Sequence, residues 1–481
     1  MPARLDLPRA GSRAAVAVTI AAVVGVSALL ARIGSDARWL AALGHEIAAR
    51  GAIPAGIPFA GVSAAHWPNP VVLAELIFAG LESLLGDRGL MLAQLLAVAG
   101  ALALVARDAR AGGASSPATA AALVLISLGS ISSFAIVRVQ LFSLLLMPAL
   151  VLLLRSDARA PSRRIWLAVP LLALWSNLHG TALLGLGILG CQLLGTRARR
   201  RPLEALAIAA ASAVALCATT AGLRTVDYYH GVLTNVAAQR GAGMWAPLSP
   251  HSPFDLLLIV AVLAALLPVV RARPAPWEWL VIAALAVATV RADRDGVWLQ
   301  LFLTAPAARG LARVGEARAP GTRAAPAQAS VGARRRRIGP AGAAGLAAAL
   351  AGCLGVVLLV GALARGPVPS GASSSLVKRA VALASGSPVL ADGSIDEQVA
   401  LAGGRIWAGD PIDAFSAPVQ ATYLDWVAGS TAGEAAVAPD VRVVLVTRGS
   451  ASQTLMAGLH DFTVARADAT AVLYERVGTH A

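Results

Sequence analysis

Apolar runs too long for a water-soluble core set the limits on how this chain folds. Residues 14–30, 256–270 and 341–360 are nearly uninterrupted hydrocarbon. Each approaches the ~20 residues that a helix needs to cross a bilayer. With 57% of its 481 residues hydrophobic, the chain carries more apolar surface than a soluble protein of this size needs. A transmembrane barrel would instead alternate polar and apolar residues over segments of ~10 residues. The expectation is an all-α polytopic membrane domain. The first run follows Arg4, Arg9 and Arg13, as a secretory signal would. More apolar segments come after it, so it reads as a retained signal anchor.

The formal net charge of +14 raises the question of nucleic acid, and its distribution answers it. Arg313, Arg318, Arg323 and Arg334 to Arg337 sit together in a loop at 309–338 between apolar runs, the pattern of cytoplasmic loops. From residue 371 onward there are 7 Lys+Arg and 11 Asp+Glu, a net of −4, which leaves +18 before it. The excess orients the membrane part and attracts anionic lipid. No nucleic-acid partner is expected. Cys191, Cys217 and Cys353 all lie in apolar segments, with no metal-ligand spacing and no disulfide framework in the C-terminal part.

About eleven spans are expected, near 14–32, 88–106, 118–136, 139–154, 165–177, 179–195, 204–222, 254–270, 276–290, 295–310 and 340–363. Placing the arginine clusters at 107–110, 155–164, 197–201, 271–273 and 309–337 in the cytoplasm closes the alternation, with the N-terminus inside and the C-terminus outside. This requires segment 71–86, short and carrying Glu75 and Glu82, to lie in the interface; a twelfth span is the alternative. Arg38 and Arg50, placed outside, run against the charge rule. The membrane domain then covers 1–363, with outer loops 33–87 and 223–253. Residues 364–374, with Pro367 and Pro369, read as a linker. Residues 375–481 read as a small extracytoplasmic α/β domain, with strands at 441–446 and 471–474.

The polar residues that need explaining all fall on the outer side of this arrangement. Asp36 follows the first span closely, where partial desolvation suits a general base; the alternative is a solvated cap of a helix at 37–49. Arg138 and Gln140, in Arg-Val-Gln-Leu-Phe-Ser143, join two apolar helices. A guanidinium there either grips phosphate or anchors a helix end. Trp175-Ser-Asn177-Leu-His179-Gly180 joins two apolar segments with almost no loop. His179 is open to acid/base, metal or phosphate roles, or to a hydrogen-bonded helix break. The long loop brings Arg224, His230 and His251, together with Tyr228, Tyr229 and Trp245. It reads either as a lid over a sugar or lipid phosphate, or as an amphipathic helix on the bilayer surface. The turn Arg291-Ala292-Asp293-Arg294 reads as added positive charge for a phosphate site or as a self-satisfied ion pair. No P-loop, GxGxxG, GxSxG or HExxH is found, which removes ATP-driven transport and the common soluble hydrolases.

These motifs, in this order, resemble a group of bacterial multi-pass proteins similar in layout to the GT-C glycosyltransferases. The order is Asp36, the Gly51-Ala-Ile-Pro54 loop, Arg138-Val-Gln-Leu-Phe-Ser143, Trp175-Ser-Asn-Leu-His-Gly180, the loop ending at His251-Ser-Pro253, and an outer C-terminal domain. The resemblance covers roughly 14–310. It implies a sugar donor linked to polyprenyl phosphate, inverting transfer to an extracytoplasmic acceptor, and residence in the bacterial inner membrane. It places the base at Asp36, with Glu46 the nearest second carboxylate. Asp36 lacks the adjacent acid of many such enzymes, so a divalent metal is permitted without an assigned ligand set. Expected substrate contacts are Glu46, Arg138, Gln140, Asn177, His179, Arg224, His230 and His251. A flippase for a lipid-linked precursor and a non-catalytic envelope scaffold are the competing classes. The first would need polar groups at mid-membrane, which the apolar runs lack.

Overall fold

The computed structural model describes residues 10–64, 66–317 and 340–478. Arg4, Arg9, Arg318, Arg323 and Arg334 to Arg337, on which part of the loop assignment rests, lie outside the described residues. The chain is mostly helical, with a small sheet near its C-terminus.

Helix α1 (Ala10–Leu30) leads into a two-residue strand β1 (Arg32–Ile33) and then α2 (Ala37–Arg50) and α3 (Val72–Leu85). Next come α4 (Asp87–Ala111), α5 (Ser116–Gly129), α6 (Ile131–Ala135), strand β2 (Ile136–Val137), α7 (Leu141–Arg159), α8 (Ala168–Ser176), α9 (Ala182–Gly195) and α10 (Pro202–Leu216). Two short helices, α11 (Thr225–Thr234) and α12 (Val236–Arg240), occupy the long loop. The bundle is completed by α13 (Pro253–Ala272), α14 (Pro276–Arg291), α15 (Gly296–Ala317) and α16 (Pro340–Arg365), the last packed along α1. Of these, α4, α7 and α13 are long and apolar enough to cross a membrane by length and composition.

The span expected at 118–136 is not one helix. It breaks at Ser130, and after the short α6 the β-branched Ile136 and Val137 peel away to pair with β1. The span expected at 165–177 is a 3₁₀ turn followed by the nine-residue α8. Helix α3 has 14 residues, about 21 Å, and packs against α2. Its Glu75 is fully buried rather than facing water. Asn69 Nδ2 donates to both carboxyl oxygens at 2.9 Å, and burial pushes Glu75 up to about 8.

The two ends of the bundle differ in chemistry. At one end the arginine-rich helix termini meet acids: Arg155 with Asp108 (2.6 Å) and Glu278 (2.9 Å), Arg197 with Asp157 (2.8 Å), and Arg309 with Glu278 (3.4 Å). The other end carries α2, α3 and the C-terminal domain.

That domain contains α17 (Ser374–Ala384), strand β3 (Val389–Ala391), α18 (Ile395–Leu401), α19 (Ala417–Val427), β4 (Val443–Thr447), α20 (Ala451–Ala457), β5 (Phe462–Ala467) and β6 (Ala471–Arg476). The strand order is β3-β4-β6-β5, parallel between β3 and β4 and antiparallel elsewhere. The first outer loop joins this sheet side. Ile406 N–H donates to Phe59 O (2.9 Å) and Gly61 N–H to Ile406 O (2.6 Å), while Trp407 N–H donates to Val389 O (2.9 Å). Backbone from the start and from the end of the chain therefore shares one hydrogen-bonded edge.

Candidate functional site

Parallel pairing of β1 with β2 puts Arg32 opposite Ile136 and Ile33 opposite Val137. Both strands leave the pair in the same direction, so Asp36 and Arg138 emerge side by side. Gly34 makes the approach possible: a Cβ there would run into the Ile136 side chain and lie 3.1 Å from Arg138 Cγ. The Asp36 carboxylate then stands 3.6 Å from Arg138 Nε, an ion pair too long to be a hydrogen bond. Arg138 Nε is buried and has no hydrogen-bond partner.

Asp36 occupies the N-cap position of α2, yet its side chain makes no capping bond. Its φ of 81° turns the residue into the left-handed region. The capping alternative is therefore not realised, and the carboxylate is left to face a cavity of about 500 Å³.

His179 reaches the same cavity from the tight turn between α8 and α9. Its Nδ1 lies 2.8 Å from Ser143 Oγ and 2.7 Å from Thr181 Oγ1, and Trp175 Nε1 donates to Ser143 Oγ at 2.7 Å. Burial, followed by the nearby Arg294 and Arg138, pulls His179 down to about 3. At neutral pH it is an uncharged imidazole, so its contribution to an anion is hydrogen bonding and not charge. Gly180 keeps this turn close to α11: a Cβ there would sit 2.9 Å from the Tyr228 hydroxyl.

The turn between α14 and α15 adds Arg294. Its guanidinium lies over the Trp245 ring, 3.8 Å from carbon to centroid. Among the described residues no ion pair joins Arg291 to Asp293. Asp293 is instead tied through its amide to Ala246 O at 3.1 Å, and this backbone link brings Trp245 to Arg294. The C-terminal domain adds Asp410 and Asp413. Trp67 Nε1 donates to Asp413 Oδ2 at 2.9 Å. Burial pushes Asp410 up to about 7, with Asp36 adding to the shift and Arg138 opposing it. Asp413 is raised mainly by burial.

Away from these charges the cavity becomes an apolar groove. Leu183, Leu184, Gly187 and Ile188 of α9 recur at helical spacing and line it together with Val281, Leu285 and Ala288 of α14. The cavity is thus a polar head, with both signs of charge, continuous with a hydrocarbon-lined channel between two helices.

Of the residues singled out in the sequence, Asp36, Arg138, Gln140 and His179 line this cavity. The others do not. Glu46 pairs with Arg50 one turn along α2, at 2.8 Å. Asn177 Nδ2 donates to Ala173 O (2.8 Å) and Ala218 O (2.7 Å), bracing α8 against the chain leaving α10. Arg224 donates to the carbonyl of His66 on the surface. His230 is exposed and faces Thr234 of its own helix, and His251 is exposed. The reasoning from sequence did not reach Asp410 or Asp413. They look like ordinary acids of a soluble domain, and only their location beside Trp67 marks them.

Among the described residues, no three His, Cys, Asp or Glu side chains are grouped to hold a metal ion.

No protein-family model matches the chain. No curated protein matches it in sequence. Solved structures do match. The crystal structure of ArnT from Cupriavidus metallidurans bound to undecaprenyl phosphate superposes with a TM-score of 0.52 at 14% identity, covering 98% of this chain and 99% of that one. The apo form of the same protein gives a TM-score of 0.49 at 14% identity, over 94% and 95% of the two chains. The archaeal oligosaccharyltransferase AglB from Archaeoglobus fulgidus gives 0.45 at 13% identity, over 90% of this chain and 69% of that one. The ArnT match shows that this chain shares that protein's fold over nearly its whole length.

Proposed function

We propose that this protein is a membrane glycosyltransferase of the GT-C type, which moves a sugar from a polyprenyl-phosphate donor to an acceptor on the extracytoplasmic face. The observation that carries the reading is the continuity of the cavity. Two arginines, Arg138 and Arg294, and four carboxyl groups, Asp36, Asp295, Asp410 and Asp413, lie at one end, and an apolar channel between α9 and α14 leads away from them. A lipid phosphate carrying a sugar has that same division of chemistry, and ArnT was crystallised with undecaprenyl phosphate.

In this mechanism the lipid chain lies along the α9/α14 channel and its phosphate meets Arg138 and Arg294. The acceptor hydroxyl attacks the sugar C1 from the side opposite the phosphate, and Asp36 takes its proton. The C1–O bond to phosphate breaks as the new glycosidic bond forms, inverting C1. The departing phosphate gains negative charge, and fixed guanidinium groups favour that state over the ground state. Neutral His179 contributes a hydrogen-bonding face beside them.

The bacterial inner membrane, a cytoplasmic N-terminus and an extracytoplasmic C-terminal domain belong to this reading, as does attraction of anionic lipid to the arginine end. A flippase would need polar groups along the channel, and α9 and α14 present apolar ones.

The test is transfer of radiolabelled sugar from polyprenyl-phosphate donors by the purified full chain in proteoliposomes. Asp36→Asn is expected to lower turnover by ~10²–10⁴-fold with its melting temperature retained. An Asp36→Asn protein with full activity would remove the base from the mechanism, and a wild-type protein inactive with every such donor would remove the reading.

A further inference from the structure

Helix α2 begins beside the cavity, and its first amides are capped from an unexpected source. An N-cap side chain normally accepts from the amides two and three residues on. For Asp36 those are Arg38 and Trp39. Both are taken by Glu397, which comes from α18 in the C-terminal domain. Its Oε2 accepts from Arg38 N–H at 3.0 Å and from Trp39 N–H at 3.4 Å, and its Oε1 accepts from the Asp36 N–H itself at 2.8 Å. Glu397 is 1% exposed, so these amides are its solvation. The positive end of the helix dipole favours a carboxyl there. Asp410 lies within hydrogen-bonding reach of Glu397 and lines the cavity.

This arrangement frees Asp36. A residue cannot both cap its own helix and present its carboxylate elsewhere. With the capping done by Glu397, Asp36 adopts its left-handed backbone and turns toward Arg138. We propose that Glu397 is the positioning residue for Asp36: it replaces the missing N-cap side chain of α2 and so holds the Asp36 carboxylate toward the cavity. The C-terminal domain is then part of the site's geometry, not an appended binding module. The proposal rests on the glycosyltransferase reading for its kinetic consequence, and on the hydrogen bonds alone for its structural one.

The experiment pairs two readouts on the full chain in nanodiscs. Hydrogen exchange over residues 36–40 should quicken in Glu397→Ala while exchange over β4 stays unchanged. In the transfer assay Glu397→Ala should lower kcat on the order of 10–100-fold, the cost of a displaced reacting group. KM for the lipid-linked sugar should stay within about threefold, as expected when only transition-state alignment is lost. The isosteric Glu397→Gln keeps one acceptor and should fall between wild type and Glu397→Ala in both readouts; if Glu397→Ala loses its fold, Glu397→Gln decides. Unchanged exchange over 36–40, or unchanged kcat in an active protein, overturns the positioning role. If exchange quickens but wild type transfers no sugar, the helix-capping role stands and the glycosyltransferase reading falls.

Discussion

The arginine end of the bundle and the cavity at the other end use charged side chains in opposite ways. At the arginine end, cations and acids are drawn into short pairs: Arg155 bridges Asp108 and Glu278, and Arg197 grips Asp157 through two nitrogens. Inside the cavity, by contrast, Asp36 and Arg138 are held at 3.6 Å with a buried Nε unsatisfied, and Arg294 rests on an aromatic face; the short pair of Arg38 with Asp87 (2.8 Å) lies outside the cavity. Buried charge that is closely paired specifies structure, whereas loosely held charge lining a cavity leaves room for a partner from outside. The contrast separates arginines that sidedness alone had treated as equivalent.

Substitutions at each end can break that contrast. The largest effect is expected from Arg155→Ala, which strands two buried carboxylates. It should cost about 3–5 kcal/mol in thermal unfolding of the detergent-solubilised protein, with turnover per folded molecule retained. A melting temperature equal to wild type would erase the distinction. Arg294→Ala should do the reverse: kcat lower by ~10²–10³-fold, as when one donor to a developing anion is removed, with little change in melting temperature. The smallest effect probes the channel. A Cβ at Gly187 meets nothing within 4 Å, so Gly187→Leu fills the groove without straining the helix. An apolar pocket contact of this kind is worth ~1–3 kcal/mol, so KM for a long-chain donor should rise by at least tenfold and that for a short-chain analogue should rise less. Equal changes for both donors would place the lipid elsewhere.

Much of the fold was legible because membrane helices announce themselves by apolar length. The half of the site near the bundle was legible for the same reason: Asp36, Arg138 and His179 are polar residues in short connections at the ends of apolar segments. What was lost followed from using neighbourhood in sequence as a proxy for neighbourhood in space. Glu46 lies only ten residues past Asp36, but α2 turns it toward Arg50. Arg224, His230 and His251 share a loop with Tyr228 and Trp245, yet all three are exposed, His230 on the outer side of α11 and His251 in the turn before α13. Arg294 was in view and was read through its neighbours Arg291 and Asp293; the link from Asp293 to Ala246 could not be seen without the fold. Glu397, Asp410 and Asp413 had no local signal, because their role depends on docking two segments from opposite ends of the chain.

The bond from Asp36 to Glu397 spans 361 positions, which gives the site a history as well as a shape. Synthesis at ~5–20 residues per second separates the appearance of the two residues by roughly 20–70 seconds. During that interval the first outer loop has no cap for α2 and no strand partner at residues 404–407. A chain still on the ribosome therefore carries its membrane helices and its arginine-end pairs long before it can hold Asp36 in place. The corner around Asp36 is completed only once the chain has been made past Glu397.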